Sequence, residues 1–402
     1  MSAAEWRKAM NAGAGRYAWT GGARGRIAAR PVDRPSPRPS PLRGEGEVAT
    51  AWTQWVWRRV GARHVLVLLA VLVYPWVATP FFTFQIGAQS LALGLIALSL
   101  TFLAGYGGMV SLAQMTVAGI AGYMFAIFAT SGTDISLRWP WGLAVVLALV
   151  IATACGTLIG WFSVRTEGIY TIMITLAIGV AFYYLAQQNY SLFNGFQGFQ
   201  SVMTPAVAGV ELRAPLVFYY LSLFWALAGY FFVAYLLRAP FGVALQGIRD
   251  NPRRMSALGF NVTAHRVAAY TVAGLIAAVG GVLMVWYNGL VSPGSVGTSW
   301  LINILIIAVL GGMRHPVGPF IGAVVFVLLQ NFAVDLVGRE RFNLLIGGVF
   351  LVIVLFSPDG LLGWWAQGRQ YLEKQLAPAR AGGWRRGRRG QERSTTAAPG
   401  PH

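Results

Sequence analysis

Phe241-Gly-Val-Ala-Leu-Gln-Gly-Ile-Arg-Asp-Asn-Pro-Arg-Arg-Met-Ser-Ala-Leu-Gly-Phe-Asn-Val262 is the one long polar insert inside an otherwise apolar run. Arg249, Asp250, Asn251, Arg253 and Arg254 crowd into a few residues of it. Charge at that density is expensive in hydrocarbon. Long apolar segments flank it on both sides, so it reads as a loop at a membrane surface. Ala244, Leu245 and Ile248 recur at helical spacing, and Asp250-Asn251-Pro252 interrupts them. Asp250 or Asn251 is suited to cap a second helix, with Pro252 in its first turn, where a missing N–H costs nothing. Gly259 is a usual helix C-terminal residue. The expected product is helix, break, short helix, lying along the surface with basic and small residues displayed together. A solvated loop that only obeys the charge rule for topology is the plainer reading of the same residues.

Composition supports the membrane setting. The 402 residues are 56% hydrophobic and 11% charged, against about 25% charged in soluble domains. The net charge of +18 would suggest nucleic acid if it were spread over a folded surface. Most Lys and Arg instead lie before residue 64 or after residue 368, so nucleic acid is not an expected partner and membrane lipid is. The single cysteine, Cys155, excludes an internal disulfide and a cysteine metal cluster.

A crossing helix needs about 20 mostly apolar residues. The stretches that qualify are 64–81, 84–105, 109–130, 140–163, 168–187, 215–237, 266–288, 298–313, 317–337 and 342–358. The fold class expected is all-α, a polytopic membrane helix bundle of about ten spans, with Val110 to Thr130 open to a broken or re-entrant form. Both termini then fall inside. Arg165, Arg238, Arg249, Arg253, Arg254 and Arg314 lie in the expected inner loops, and Arg138, Arg213, Arg339 and Arg341 in outer ones. Trp139, Trp141, Trp286, Trp300, Trp364 and Trp365 fall near span ends and read as interfacial anchors.

Three regions follow. Residues 1–63 are rich in Arg, Gly, Pro and Ala, with a Pro-Ser-Pro run at 35–41, and read as a disordered basic cytoplasmic extension. No apolar core follows within the first thirty residues, so this is not an ordinary secretory signal. Residues 64–363 form the membrane domain, with the polar loop at 238–265. Residues 364–402, with Arg385, Arg386, Arg388 and Arg389, read as a basic disordered cytoplasmic tail suited to anionic lipid.

The insert resembles the cytoplasmic coupling loop of ABC-importer permeases, and the chain resembles the branched-chain amino acid (leucine/isoleucine/valine) permease family. Gly242, Ala244, Leu245, Ile248, Arg249, Asp250 and Asn251, then Ala257, Gly259 and Val262, follow that family's pattern. Val309-Leu310-Gly311-Gly312-Met313 before His315-Pro316-Val317-Gly318-Pro319 looks like its Gly-Gly segment leading into Gly-Pro. Gly105-Tyr106-Gly107-Gly108 with Ser111-Leu112-Ala113-Gln114 looks like its Gly-Tyr-x-Gly-x-x-Ser-Leu-Gly-His/Gln. Tyr190 to Gly198 resembles its Gly-rich outer segment, with Gln197 where Asp is frequent, and Asn303 stands where Glu is frequent. The resemblance spans roughly residues 80 to 360 and neither tail.

It implies a transport subunit of the bacterial inner membrane. The implied partners are a homologous second permease, two cytoplasmic ABC ATPases and a periplasmic solute-binding protein. Arg249, Asp250, Arg253 and Arg254 would meet the ATPase groove, with Ala257 and Gly259 allowing close approach. The solute would be a branched-chain or other neutral amino acid, with urea or a short amide as the alternative.

The residues themselves hold no enzyme signature. The four histidines (His64, His265, His315, His402) sit at span ends or in a tail, and there is no His-Glu-x-x-His or phosphate-binding Gly-x-x-x-x-Gly-Lys-Ser/Thr. No catalytic residue, metal site or cofactor is expected on this chain. No acids pair within the spans, which disfavours an autonomous proton- or sodium-coupled carrier. Gln85, Gln89, Ser111, Gln114, Thr116, Thr175 and Asn303 are polar in apolar surroundings. Gln114, Thr175 and Asn303 are taken as possible lining of a translocation path; hydrogen bonds between neighbouring helices are the alternative. The 49 glycines suit close helix packing, or helices that rock against one another.

Overall fold

Helices occupy every apolar stretch in the computed structural model, which describes residues 62–129, 132, 136–207, 209–337, 342–356 and 360–363. The extension before residue 62, the tail from 364 with Trp364 and Trp365, and Arg339 and Arg341 lie outside the described residues. Of the unit ending at Val67 only the start of the first helix is described, and the helices from Leu68 onward belong to the second unit.

The helices are α1 (Ala62–Val77), α2 (Phe82–Tyr106), α3 (Gln114–Phe128), α4 (Trp141–Ser163), α5 (Ile169–Gln188), the single turn α6 (Tyr190–Phe193) and α7 (Pro215–Leu236). They continue with α8 (Pro240–Asp250), α9 (Pro252–Ala257), α10 (Val262–Asn288), α11 (Thr298–Gly311), α12 (Gly318–Val337) and α13 (Phe342–Phe356). Among the described residues, α2, α4, α5, α7 and α10 are long and apolar enough to cross a membrane. Three further apolar helices are shorter: α3, α11 and the Gly318–Phe332 part of α12. The chain is thus a multi-pass helical membrane protein. Among the described residues the one ladder pairs Ala206–Val207 with Val210–Glu211, before α7, and helical periodicity did not foreshadow it.

α2 is the centre. Its middle is buried on all sides, from Ala92 and Leu93 through Leu98 to Leu100, as expected of a helix apolar all round. It packs against α10, α12, α11 and α7, while α10 also packs against α3 and α4. α4, α5 and α7 form the rim and turn Val146, Val150, Met173, Phe224 and Phe231 outward. Adjacent glycines let the central helices meet. A methyl on Gly280 would reach Ile96 of α2 at 2.5 Å, and one on Gly281 would overlap the main chain of Ala118 in α3. Gly311, Gly318 and Gly322 likewise bring the main chains of α11 and α12 into direct contact.

The expectation that Trp286 is an interfacial anchor is corrected. Trp286 is 6% exposed and meets Phe125 edge-on at 5.6 Å, because the outer part of α10 is enclosed by other helices. Trp300 turns into a cavity described below.

Both ends of α2 depart from α-helical winding. Phe82–Ala88 and Phe102–Tyr106 are π-helical, around a regular Gln89–Thr101. Such segments are rare and concentrate at functional sites. α1 shows another local break. Pro75 lacks the N–H that would bond Val71 O, and Tyr219 of α7 donates its hydroxyl to that carbonyl at 2.7 Å.

Candidate functional site

One end of the bundle gathers the polar loop. α8 buries Gly242, Ala244, Leu245 and Ile248. These positions share one face, which a 3.6-residue repeat brings together. Gly242 lies so close to Leu236 and Leu237 that a side chain would strike their main chain, so α8 folds back on the end of α7. Asn251 ends α8 and caps α9, its side chain accepting from Arg254 N at 3.0 Å. Pro252 opens α9, and Gly259 takes a φ of +90°. Asn261 caps α10 through Ala264 N at 3.0 Å.

Two contacts fix this loop that sequence reasoning missed. His265 lies between Phe241 (5.9 Å, stacked) and Phe260 (5.7 Å, edge-on). Arg249 donates from Nη1 to Gly105 O at 2.6 Å while pairing with Asp250 at 3.0 Å. A cation on the last carbonyls of α2 complements the negative end of that helix. Gly108, with φ +69°, leaves room for the Arg249 side chain, which a methyl there would meet at 2.6 Å. The polar loop therefore grips the end of the central helix.

α9 buries no residue. Arg253, Arg254, Ala257 and Gly259 are exposed, as are Leu258 and Phe260. No ion pair holds Arg253 or Arg254 among the described residues. The face is basic, small and apolar at once, and the fold makes little use of it.

Deeper in, Gln114 and Thr175 meet at one feature. Between α2 and α3 the chain leaves helical form at Gly108 and resumes at Gln114, from which an unbroken helix runs to Phe128. Thr175 Oγ1 accepts from Leu112 N at 3.1 Å and donates to Thr171 O at 2.9 Å. The single Ser99 Oγ–H is shared between Ile96 O at 2.6 Å and Gln114 Oε1 at 3.1 Å. Gln114 is 2% exposed and Thr175 fully buried. They tie α5 and α2 to the irregular backbone, which must be satisfied internally at membrane depth. Asn303 is half-buried on α11 and joins neither.

This gives a matched pair of predictions. Thr175→Val leaves Leu112 N–H unpaired, at a cost of about 1–3 kcal/mol. Thr116 Oγ1 is equally buried but has no partner among the described residues, so Thr116→Val is expected to be neutral or mildly stabilising. Thermal stability of the purified chain in detergent checks both, and equal effects would remove the role given to Thr175.

The opposite end holds a polar cavity of about 350 Å³ between α2, α10, α11 and α12. Gln85, Gln89 and Gln330 converge there with Arg213. Their separation along the chain hid this from the sequence.

Comparison with known proteins agrees with the architecture. The family model for the branched-chain amino acid transport system permease component matches residues 82–355. The chain is 26% identical over 331 residues to the high-affinity branched-chain amino acid transport system permease protein LivM of Salmonella typhimurium, covering 75% of each. It is 25% identical to LivM of Escherichia coli, covering 74% of each. It is 24% identical to a probable LivM of Methanocaldococcus jannaschii, over 55% of this chain and 67% of that one. No solved structure matches. The central helix, the rim and both polar ends all fall within the matched residues, and the chain belongs to the family of branched-chain amino acid transport system permease components.

Proposed function

We propose that this chain is the inner-membrane permease subunit of an ATP-driven importer for branched-chain or other neutral amino acids. It works with a homologous second permease, two cytoplasmic ATPases and a periplasmic binding protein. About ten helices span the bilayer, with both termini and the α8–α9 loop on the cytoplasmic side.

One observation carries the reading: α9 projects Arg253 and Arg254, exposed and without ion pairs among the described residues, from a loop whose Arg249 holds the central helix at Gly105. An ATPase that closes against α9 would move α8 and, through Arg249, the end of α2. That is the linkage alternating access needs between a soluble motor and the core of the bundle. The partners' implied placement and the names of the relatives support the solute class.

Co-purification tests it. A tagged chain extracted in mild detergent from its native membrane is expected to bring a second permease and ATPases, and to import L-leucine with ATP once reconstituted with the binding protein. A chain that emerges alone and transports without ATP would overturn the reading.

A further inference from the structure

At the end of α2 remote from the coupling loop, Gln85, Gln89, Arg213, Tyr287, Trp300 and Gln330 line the 350 Å³ cavity. The volume lies within the usual range of small-molecule sites, about 300–1,000 Å³. A second cavity of 530 Å³ adjoins it, sharing Phe84, Gln85 and Arg213 and adding Glu211. We propose that the cavity is a binding site for a zwitterionic α-amino acid with an apolar side chain, and that Arg213 receives its carboxylate. The proposal rests on the importer reading above and adds to it a site on the permease itself.

Three observations point to that ligand. First, Arg213 lines both cavities. Its hydrogen bonds among the described residues are two long ones from Nη2, to Tyr287 O at 3.5 Å and Asn288 O at 3.4 Å. Nη1 and Nε stay available, and no ion pair neutralises the guanidinium among the described residues. A guanidinium fork is matched to a carboxylate.

Second, the acceptors needed by an ammonium group are present. Gln330 lines the cavity, and its Oε1 has no hydrogen-bond partner among the described residues. Gln89 Oε1 already accepts from Tyr287 Oη at 3.3 Å and keeps capacity for a second donor.

Third, the remaining wall is apolar. Phe84 and Met284 line it, and Phe84 stacks on Tyr287 at 4.9 Å, forming a surface for an aliphatic side chain. The π-helical segment Phe82–Ala88 shapes the α2 wall, and Gln85 and Gln89 both come from it or its edge.

The chain has one cysteine, which makes a direct test available. In a Cys155→Ala background, Asn288→Cys places a thiol on the exposed rim of the cavity without removing a proposed ligand contact. The assembled complex in nanodiscs is treated with a charged thiol reagent in the presence of L-leucine, L-leucinamide, 4-methylpentanoate or urea. L-leucine is expected to slow labelling. Leucinamide, which lacks the carboxylate, and 4-methylpentanoate, which lacks the ammonium, are each expected to need about tenfold more or beyond for the same protection. Arg213→Gln is expected to bring L-leucine down to the level of leucinamide. Labelling indifferent to L-leucine, or equal protection by leucinamide or urea, overturns the proposal. ATP-driven leucine uptake is scored on the same complex. Uptake with an unprotected thiol would remove the site alone, whereas loss of both uptake and the co-purifying ATPases would remove the importer reading beneath it.

Discussion

Charge reversal at both Arg253 and Arg254 is expected to abolish ATP-driven uptake while leaving the chain folded in the membrane. The fold gives no reason for either arginine. Both are exposed on α9, which buries nothing, and neither joins an ion pair among the described residues. Surface substitutions of that kind usually change stability by about 0.5 kcal/mol or less. The capping of α9 uses the main-chain N–H of Arg254, not its guanidinium, so the Glu side chain leaves the cap intact. A partner surface that matches two cations would meet two anions instead, and juxtaposed like charges cost several kcal/mol, on the order of a hundredfold or more in affinity. The measurement is uptake and ATPase stimulation in the reconstituted complex, beside a thermal-stability curve for the isolated chain. Normal uptake by the doubly reversed complex would end the coupling role for α9. A collapse of stability would show instead that α9 is structural.

Arg249 is a different case in the same loop. Its guanidinium serves the fold as well, through Gly105 O and Asp250. A loss at Arg249 would mix stability with coupling, whereas Arg253 and Arg254 report coupling alone. The sequence pattern placed all of them in one group, since spacing identifies a charged helical turn without saying which charge turns inward.

The helix-break-helix form of 241–262 was legible because local chemistry decides it. Asn251 as cap, Pro252 in the first turn and Gly259 with positive φ each act on their own backbone. The apolar stretches were legible for a similar reason: length and hydropathy mark helices that satisfy their backbone internally. What was not legible depends on contacts far along the chain. Gln89 and Tyr287 are 198 residues apart, and Gln330 gains meaning only when α12 packs beside α2. The π-helical ends of α2 leave no trace in periodicity, for each shifts the winding within a few residues. Trp286 was misread because a span end is an interface with lipid only if the helix lies on the rim, and α10 does not. Gln114 and Thr175 were picked as path residues for being polar; their hydrogen bonds hold the irregular turn before α3, a use that polarity alone does not distinguish from lining a path.

The largest loss of stability is expected from the smallest change, Gly281→Ala. The added methyl would overlap Ala118 O and lie 2.6 and 2.7 Å from that residue's carbonyl carbon and Cα. These are main-chain atoms inside a helix, so no rotamer relieves the clash. α3 would have to move, and its other sides are closed. Gly119 lies against Val296, and Gly122 against Val285, close enough that a side chain at either would collide. A shift of α3 also drags the turn before it, where Leu112 N and Gln114 Oε1 hold partners on α5 and α2. Overpacking alone costs about 1–3 kcal/mol, and each buried hydrogen bond that fails adds about 1–3 kcal/mol. The expected outcome is a chain that fails to accumulate, or that melts well below the parent in detergent. Gly142→Ala supplies the control: it sits in α4 with nothing within 4 Å of the new methyl, and alanine is favoured over glycine in a helix by about 1 kcal/mol. If the two variants melt alike, the close crossing of α3 and α10 is not what holds the centre together. If Gly281→Ala alone collapses, then the glycines of this bundle are fixed points of contact. Rocking in transport must then be carried by joints at the helix ends, where α2 turns π-helical and Arg249 takes hold.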